Sequence, residues 1–441
     1  MKSIRIKDFL QNEVKEFSLY DCYRSIPNIV DGLKPSQRKV IYGLQKKGEN
    51  TKEIKVAQLG SYVAEVTHYN HGEDSLSKTI VGLARDYAGS NNMNLLKPEG
   101  TFGNRSVPEA AAGRYIYTEF TENFRKLFKK DDELILTYVE EDGYPVEPLY
   151  YMPILPPVLI NGASGTGTGF ACEILLYNPN DLKKYTENYL KGKHNKNRLI
   201  PWYRGFNGEI TKNDEGQVVF KGKLQVVNTT NIEITELPIG YSLEKYKEIL
   251  NKLIDEEFIK DYTDLTKNNT FHIRVQCPRT TTSLDEDELY RKFKLFTRET
   301  ENFTVWLENG KIKKFDSPEL LLEYFVDLRL GFYEDRRVAQ INQLTEYVQW
   351  LDEKLRFINF YIANSQLFSK KKKEDLYKLL EKEKFVNIDK LLDIRIYNLT
   401  LEQIQKLKDE IEEVLVKIDA LTNTTPDQMY LKELSEFTYS P

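Results

Sequence analysis

At 441 residues and 40% apolar composition, the chain can bury a large core divided among two or three domains. A formal net charge of -5 excludes a protein that is basic throughout, and no apolar run reaches the roughly 20 residues that a membrane helix needs, so no membrane span is expected. The opening MKSIRIKDFL has charges inside every short apolar stretch and no small-residue cleavage site, so it does not read as a secretory signal and the chain reads as intracellular.

Residues 1–150 form the first region, and positive charge gathers at its start: residues 1–60 hold twelve Lys and Arg against seven Asp and Glu. SIPNIVDGLKPSQRKVIYGLQKKG predicts a turn at Asp31-Gly32, Pro35 in a first helical turn, and Val40 and Leu44 at helical spacing. A second helix is predicted from Asp74 to Tyr87, with Leu76, Ile80, Leu83, Ala84 and Tyr87 on one stripe and Gly89 ending it. The Gly-rich KPEGTFGN follows. Helix, turn, helix and wing is the pattern of a winged helix, a fold that puts one helix into the major groove; any small α+β domain shares that pattern. His68 and His71 have i, i+3 spacing without a third ligand, and Cys22, Cys172 and Cys277 have no CxxC spacing, so neither a zinc site nor a disulfide framework is expected. AAAGRYIYTEF, from Ala110 to Phe120, sets Tyr115 directly after Arg114, with Tyr117 two residues on.

The middle region, 151–318, alternates polar and apolar residues in short runs broken by Gly, Asn and Pro, which predicts antiparallel sheet. NGASGTGTG, Asn161 to Gly169, imitates a phosphate loop through the separation of Gly162 and Gly167, but Thr168 stands where the lysine belongs. Asp285 and Asp287 imitate a metal-binding DxD; Ser283 followed by acids ahead of an apolar stripe is an ordinary helix start. In the last region, 319–441, Leu344, Val348, Leu351, Leu355, Ile358 and Ile362 follow heptad spacing, as do Ile404, Leu407, Ile411, Val414, Ile418 and Leu421. Two long helices should pack antiparallel, with a helical knob at about 368–398 joining their far ends. The run Lys370 to Lys373 reads as a solvated helix start, and an apolar surface on the knob would make a two-fold dimer contact.

Taken in order, SIPNIVDGLKPSQRKV, VTHYNHGEDSL, FGNRSVPEAAAGRYIYT, PILPPVLINGASGTGTGF and TTPDQMYLKELSEF are similar to the successive blocks of the gyrase A-like breakage-reunion subunit of type IIA DNA topoisomerases. The resemblance covers nearly the whole chain. It is closer in wording to the eukaryotic enzymes than to gyrase in SNNMNLL and RYIYT, and it points to the compact form that bacteriophage enzymes use. It implies a mixed α and β multidomain fold: an N-terminal arm and winged-helix cleavage domain over 1–150, a β-rich tower over 151–318, and over 319–441 a long antiparallel coiled coil with a small helical dimerisation knob.

By the same resemblance Tyr115 is the nucleophile and Tyr117 a packing aromatic. The chemistry agrees that a cation belongs beside the phenol. An unperturbed phenol has a pKa of about 10 and attacks poorly at neutral pH unless the developing charge is stabilised, and Arg114 can hold a phosphate bidentately. Attack on a backbone phosphorus gives a phosphotyrosyl link, implied to be at the DNA 5′ end, and keeps the energy needed for resealing. Arg24, Lys34, Arg38 and Lys39 match family residues that hold the DNA backbone. His71, in YNHGED, matches the histidine at the scissile region, and His68 is taken as structural. Thr166 stands where relatives push an isoleucine between base pairs, and its hydroxyl should make it a poorer wedge. Gly113 stands where relatives carry proline or methionine, which should leave the backbone before Arg114 looser.

The family's Mg²⁺-binding Toprim carboxylates and its ATP site belong to a partner subunit or subunits, and no such constellation is found in this sequence; no metal site is expected within the chain. The implied function is the double-strand DNA cleaving half of an ATP-dependent type II topoisomerase, active only with that ATPase/Toprim partner. It would be a homodimer through the coiled-coil end and would work at DNA in the host cytoplasm. With no Gly-rich β domain after the coiled coil, relaxation, decatenation and unknotting are expected rather than active supercoiling. A non-catalytic dimeric winged-helix DNA-binding or architectural protein would explain the basic block and the heptads equally well, but not Arg114-Tyr115 within the ordered blocks.

Overall fold

The structure, a computed structural model, describes residues 5–48, 53–141, 143–193, 198–213, 215–267, 270–369, 371–395, 397 and 399–440. These fall into two compact units, Met1–Arg329 with Leu431–Pro441, and Leu330–Tyr430. The fold is mixed α and β.

In the first unit the N-terminal arm runs through α1 (Ile6–Phe9), a π-helical segment (Leu10–Val14) and α2 (Lys15–Ser25); among its described residues Cys22 alone is buried. α3 (Pro35–Lys47) begins as the sequence requires. Pro35 takes the first helical position, where a missing N–H is harmless, and the Lys34 amide donates to the Gln37 side chain at 2.8 Å. Val40, Ile41 and Leu44 go into the core, each contributing roughly 1.5–3 kcal/mol of burial. β1 (Ile54–Lys55) leads into α4 (Val56–Val66), a helix the sequence reading did not anticipate, although Val56, Leu59, Gly60 and Val63 recur on its buried face.

α5 (Glu73–Ala84) buries the predicted Leu76, Ile80, Leu83 and Ala84, but it stops at Ala84 rather than Tyr87. Its last carbonyls are taken from outside the helix: the Asn91 amide donates to Gly82 and Arg85, and the Leu95 and Leu96 amides donate to Leu83. With the terminal acceptors satisfied, the chain turns away. β2 (Tyr117–Thr118) pairs antiparallel with β1, Lys55 opposite Tyr117, and Tyr117 exchanges both main-chain hydrogen bonds with Glu99 of the Gly-rich stretch. α6 (Glu122–Leu127), the hairpin β3 (Tyr138–Glu141) and β4 (Tyr144–Pro148), and α7 (Pro157–Ile160) lead to a second hairpin, β5 (Ala163–Gly167) and β6 (Phe170–Ile174).

The middle region forms antiparallel sheet, as expected. Asp261–Asp264, Ile273–Gln276, Asn231–Glu236 and Lys223–Asn228 make four strands in that order, and Phe296–Glu299, Val218–Lys221 and Glu209–Lys212 make three. Tyr246, Leu250 and Leu253 of the helix Leu243–Asp255 share one core with Ile232, Ile234, Ile273 and Val275. The false DxD is a helix start, but the cap is Asp285 and not Ser283: the Asp285 carboxylate accepts from the Glu288 amide at 2.7 Å at the head of Glu286–Lys292.

The long helix Pro318–Ala363 passes into the second unit, where it packs antiparallel to Leu401–Thr422. Leu351, Ile358, Ile404 and Leu407 form the buried seam, and the Tyr347 hydroxyl donates to Glu410 at 2.5 Å. The knob has its own core, with Phe357, Leu380, Phe385, Ile388 and Leu391 buried beneath Lys373–Lys382 and Ile388–Leu392. Of the four-lysine run, Lys373 opens a helix and Lys370 lies outside the described residues.

Candidate active site

Gly113, Arg114 and Tyr115 form a tight turn, closed by the Tyr115 amide donating to Ala112 at 2.9 Å. The start of α4 holds that turn. The first N–H groups of any helix lack partners within it, and here the Val56 amide donates to Ile116 and the Ala57 amide to Gly113, both at 3.0 Å. Side chains then alternate. Ile116 and Thr118 are buried, the latter donating to the Lys97 carbonyl at 2.8 Å, while Tyr115 and Tyr117 point outward. Tyr115 is 67% exposed and Tyr117 37%. The Arg114 guanidinium lies 5.0 Å from the Tyr115 ring centroid and makes no ion pair among the described residues, whereas Tyr117 faces Lys55 Nζ at 5.9 Å.

The looseness expected at Gly113 is therefore corrected. Its carbonyl is hydrogen-bonded, and a Cβ there would lie 3.2 Å from the Ala57 nitrogen and 3.3 Å from Val56 Cγ1. Glycine lets the turn press against the helix, and the packing leaves little play.

The basic block divides. Arg24 is exposed, over the Tyr20 ring at 5.6 Å. Lys34 donates to the Ser164 carbonyl at 2.7 Å, and burial pushes its ammonium below the usual lysine value. Arg38, expected on a phosphate, is instead 3% exposed: Nε donates to Asp31 at 2.6 Å and Nη2 to the Leu33 carbonyl at 2.7 Å. Asp31 also receives the Leu33 and Tyr151 amides, so this pair fixes the turn ahead of α3. Lys39 is likewise occupied, donating to Glu147 at 2.9 Å, Glu141 at 3.1 Å and the Thr67 carbonyl at 2.8 Å. Both therefore have internal partners, a correction to the expected phosphate contacts, and the partners' carboxylates balance their charge. Burial raises the Glu147 pKa despite Lys39.

His71 lies in the connection between α4 and α5 and lines a pocket of about 490 Å³ with Arg24, Lys39 and Tyr20. His68 stacks on Tyr144, centroids 5.7 Å apart, consistent with a structural role. The Tyr20 hydroxyl lies 2.8 Å from His71 Nε2, a contact invisible in sequence because 51 residues separate the two.

NGASGTGTG forms β5 and the turn into β6, not a phosphate loop, and its glycines have a steric purpose. A Cβ on Gly165 would lie 2.0 Å from the Ser25 carbonyl oxygen, and one on Gly167 2.9 Å from Cys22 Cα. The alternate glycines let the strand lie against α2, while Ser164, Thr166 and Thr168 remain exposed. Burial raises all three thiols, Cys172 up to about 12 and Cys277 up to about 11, so none is an activated nucleophile.

The family model for the A subunit of DNA gyrase/topoisomerase IV matches residues 24–436. The chain is 35% identical over 453 residues to the mitochondrial DNA topoisomerase 2 of Dictyostelium discoideum, covering 99% of this chain and 35% of that protein. It is 37% identical over 403 residues to the DNA topoisomerase 2 of Saccharomyces cerevisiae, covering 88% and 28%. The DNA-binding, cleavage and re-ligation domain of Plasmodium falciparum topoisomerase II superposes with a TM-score of 0.90 at 34% identity, over 98% of this chain and 63% of that one. The chain thus spans about a third of the curated relatives it matches. With an outward phenol beside an arginine that has no ion pair among the described residues, both on a turn pinned by the head of a helix, and with a match to that model along nearly its full length, the chain belongs to the DNA gyrase/topoisomerase IV A-subunit family.

Proposed function

We propose that the chain is the DNA-cleaving and rejoining subunit of an ATP-dependent type II DNA topoisomerase, of the compact kind that bacteriophage enzymes use. The Tyr115 oxygen attacks a backbone phosphorus of double-stranded DNA. The new O–P bond forms as the bond to the deoxyribose 3′ oxygen breaks; the phenol loses its proton and the departing oxygen gains one. Reversal reseals the strand. The observation that carries this reading is the exposed Tyr115 beside Arg114, which has no ion pair among the described residues, on an anchored turn in a chain of this family. Arg114 stabilises the phosphoryl charge, and Arg24, Lys34, His71 and Thr166 lie along the duplex.

Mg²⁺ and ATP are assigned to an ATPase/Toprim partner. Among the described residues no group of three His, Cys, Asp or Glu could hold a metal ion. Such ions supply charge stabilisation for attacking and leaving oxygens. Residues 1–150 would act as arm and winged-helix cleavage domain, 151–318 as tower, and 319–441 as coiled coil with a knob that joins two copies. Val386, 83% exposed, and Tyr397, 67%, supply apolar surface on the knob for that contact. Among the described residues no helix is long and apolar enough to cross a membrane, and we place the work at cytoplasmic DNA.

The test is a cleavage reaction with partner, Mg²⁺ and DNA, stopped with SDS and digested with protease. Peptide bound to DNA 5′ ends is the expected result. The non-catalytic DNA-binding alternative requires retention of duplex without any covalent product.

A further inference from the structure

We infer that Tyr20, on the N-terminal arm, is a positioning residue that fixes the orientation and tautomer of His71; this rests on the reading of His71 as a group that meets DNA at the cleavage site. Two aromatic contacts hold the His71 ring. Tyr69 meets it edge-on at 5.3 Å and is tied locally, its hydroxyl donating to Ser75 Oγ at 3.3 Å. Tyr20 comes from a different element, α2, and brings a hydroxyl to Nε2 at 2.8 Å. A neutral imidazole has one donor nitrogen and one acceptor nitrogen, and the partner of one decides the state of the other. With the Tyr20 O–H donating to Nε2, the ring proton is on Nδ1. Nδ1 has no hydrogen-bond partner among the described residues, and the side chain is exposed, so its N–H is available to a phosphate or sugar oxygen. Arg24, one helical turn beyond Tyr20, lies 5.6 Å from the Tyr20 ring, so the same phenol also sets where that cation stands. The arm thereby supplies one phenol that orders two DNA-facing groups from separate parts of the chain.

The experiment uses the full chain labelled with ¹⁵N-histidine. Long-range ¹H–¹⁵N spectra report the tautomer of each ring, and His71→Gln assigns the signal. Wild type should show His71 with its proton on Nδ1, Tyr20→Phe should shift it toward the Nε2–H form, and Tyr69→Phe should leave it unchanged. In a second arm the chain, assembled with partner, Mg²⁺ and DNA, should lose about tenfold in kcat with Tyr20→Phe at unchanged KM, the lower end of what losing the orienting partner of a metal-bound imidazole costs. An Nε2–H tautomer in wild type, or no shift in Tyr20→Phe, overturns the proposal. So does a shifted tautomer with full cleavage rate, which would make the contact structural only. Failure of the function reading looks different: wild type itself would form no covalent complex, while the tautomer result would stand by itself.

Discussion

The Ala57 amide donates to the Gly113 carbonyl at 3.0 Å, so the head of α4 grips the turn that presents Tyr115. Replacing Gly113 with valine drives a branched side chain into Ala57 and Val56, which a Cβ alone would already approach at 3.2 and 3.3 Å. The expected outcome is an overpacking cost of about 1–3 kcal/mol, read by urea denaturation, with a fall in covalent complex while duplex binding by fluorescence anisotropy is kept. Equal loss of binding and cleavage would show that the turn serves the duplex rather than the nucleophile.

Arg38→Ala removes one partner of a buried pair and leaves Asp31 uncompensated. Breaking such a pair costs about 3–5 kcal/mol, so the midpoint of denaturation should drop steeply. Arg24→Ala should do the reverse, barely changing stability while lowering the salt slope of DNA binding by about one unit. A stable Arg38→Ala with a reduced slope would return that residue to the phosphate.

Gly165→Ala would set a Cβ 2.0 Å from the Ser25 carbonyl and should loosen the β5–β6 hairpin from α2. Because Lys34 donates to Ser164 on the same hairpin, its contact should be disturbed too. Faster hydrogen exchange along the β5–β6 hairpin is the expected signature, and unchanged exchange there would contradict it.

Thr166 is exposed on that hairpin, and Thr166→Ile gives it an apolar wedge without a hydroxyl to desolvate. Greater bending and tighter binding of intact duplex are expected, measured by fluorescence transfer between the duplex ends. An unchanged bend would mean the side chain at 166 never reaches the base stack.

What the sequence made legible was periodic or local. Leu76, Ile80 and Leu83 announced their helix by spacing, Pro35 its start, and the heptads the Leu351–Ile404 seam. The helix Val56–Val66 carries the same periodic signal in Val56, Leu59, Gly60 and Val63. What stayed hidden was set by distant partners. Lys39 looks like a surface cation until Glu141 and Glu147, a hundred residues away, close on it. Arg38 was expected on the DNA backbone by its match to family residues, and nothing local in the sequence shows that Asp31 turns inward to receive it. The Tyr20–His71 contact joins two elements whose juxtaposition nothing in either segment encodes.

One peptide identifies the nucleophile. Trypsin cutting after Arg114 and Arg125 releases Tyr115–Arg125, which contains both Tyr115 and Tyr117. Complexes trapped on DNA, digested with nuclease and trypsin and fragmented in a mass spectrometer, should carry the nucleotide on Tyr115, with Tyr117 unmodified. A nucleotide on Tyr117, or on no residue of that peptide, would rule out Tyr115 as the nucleophile.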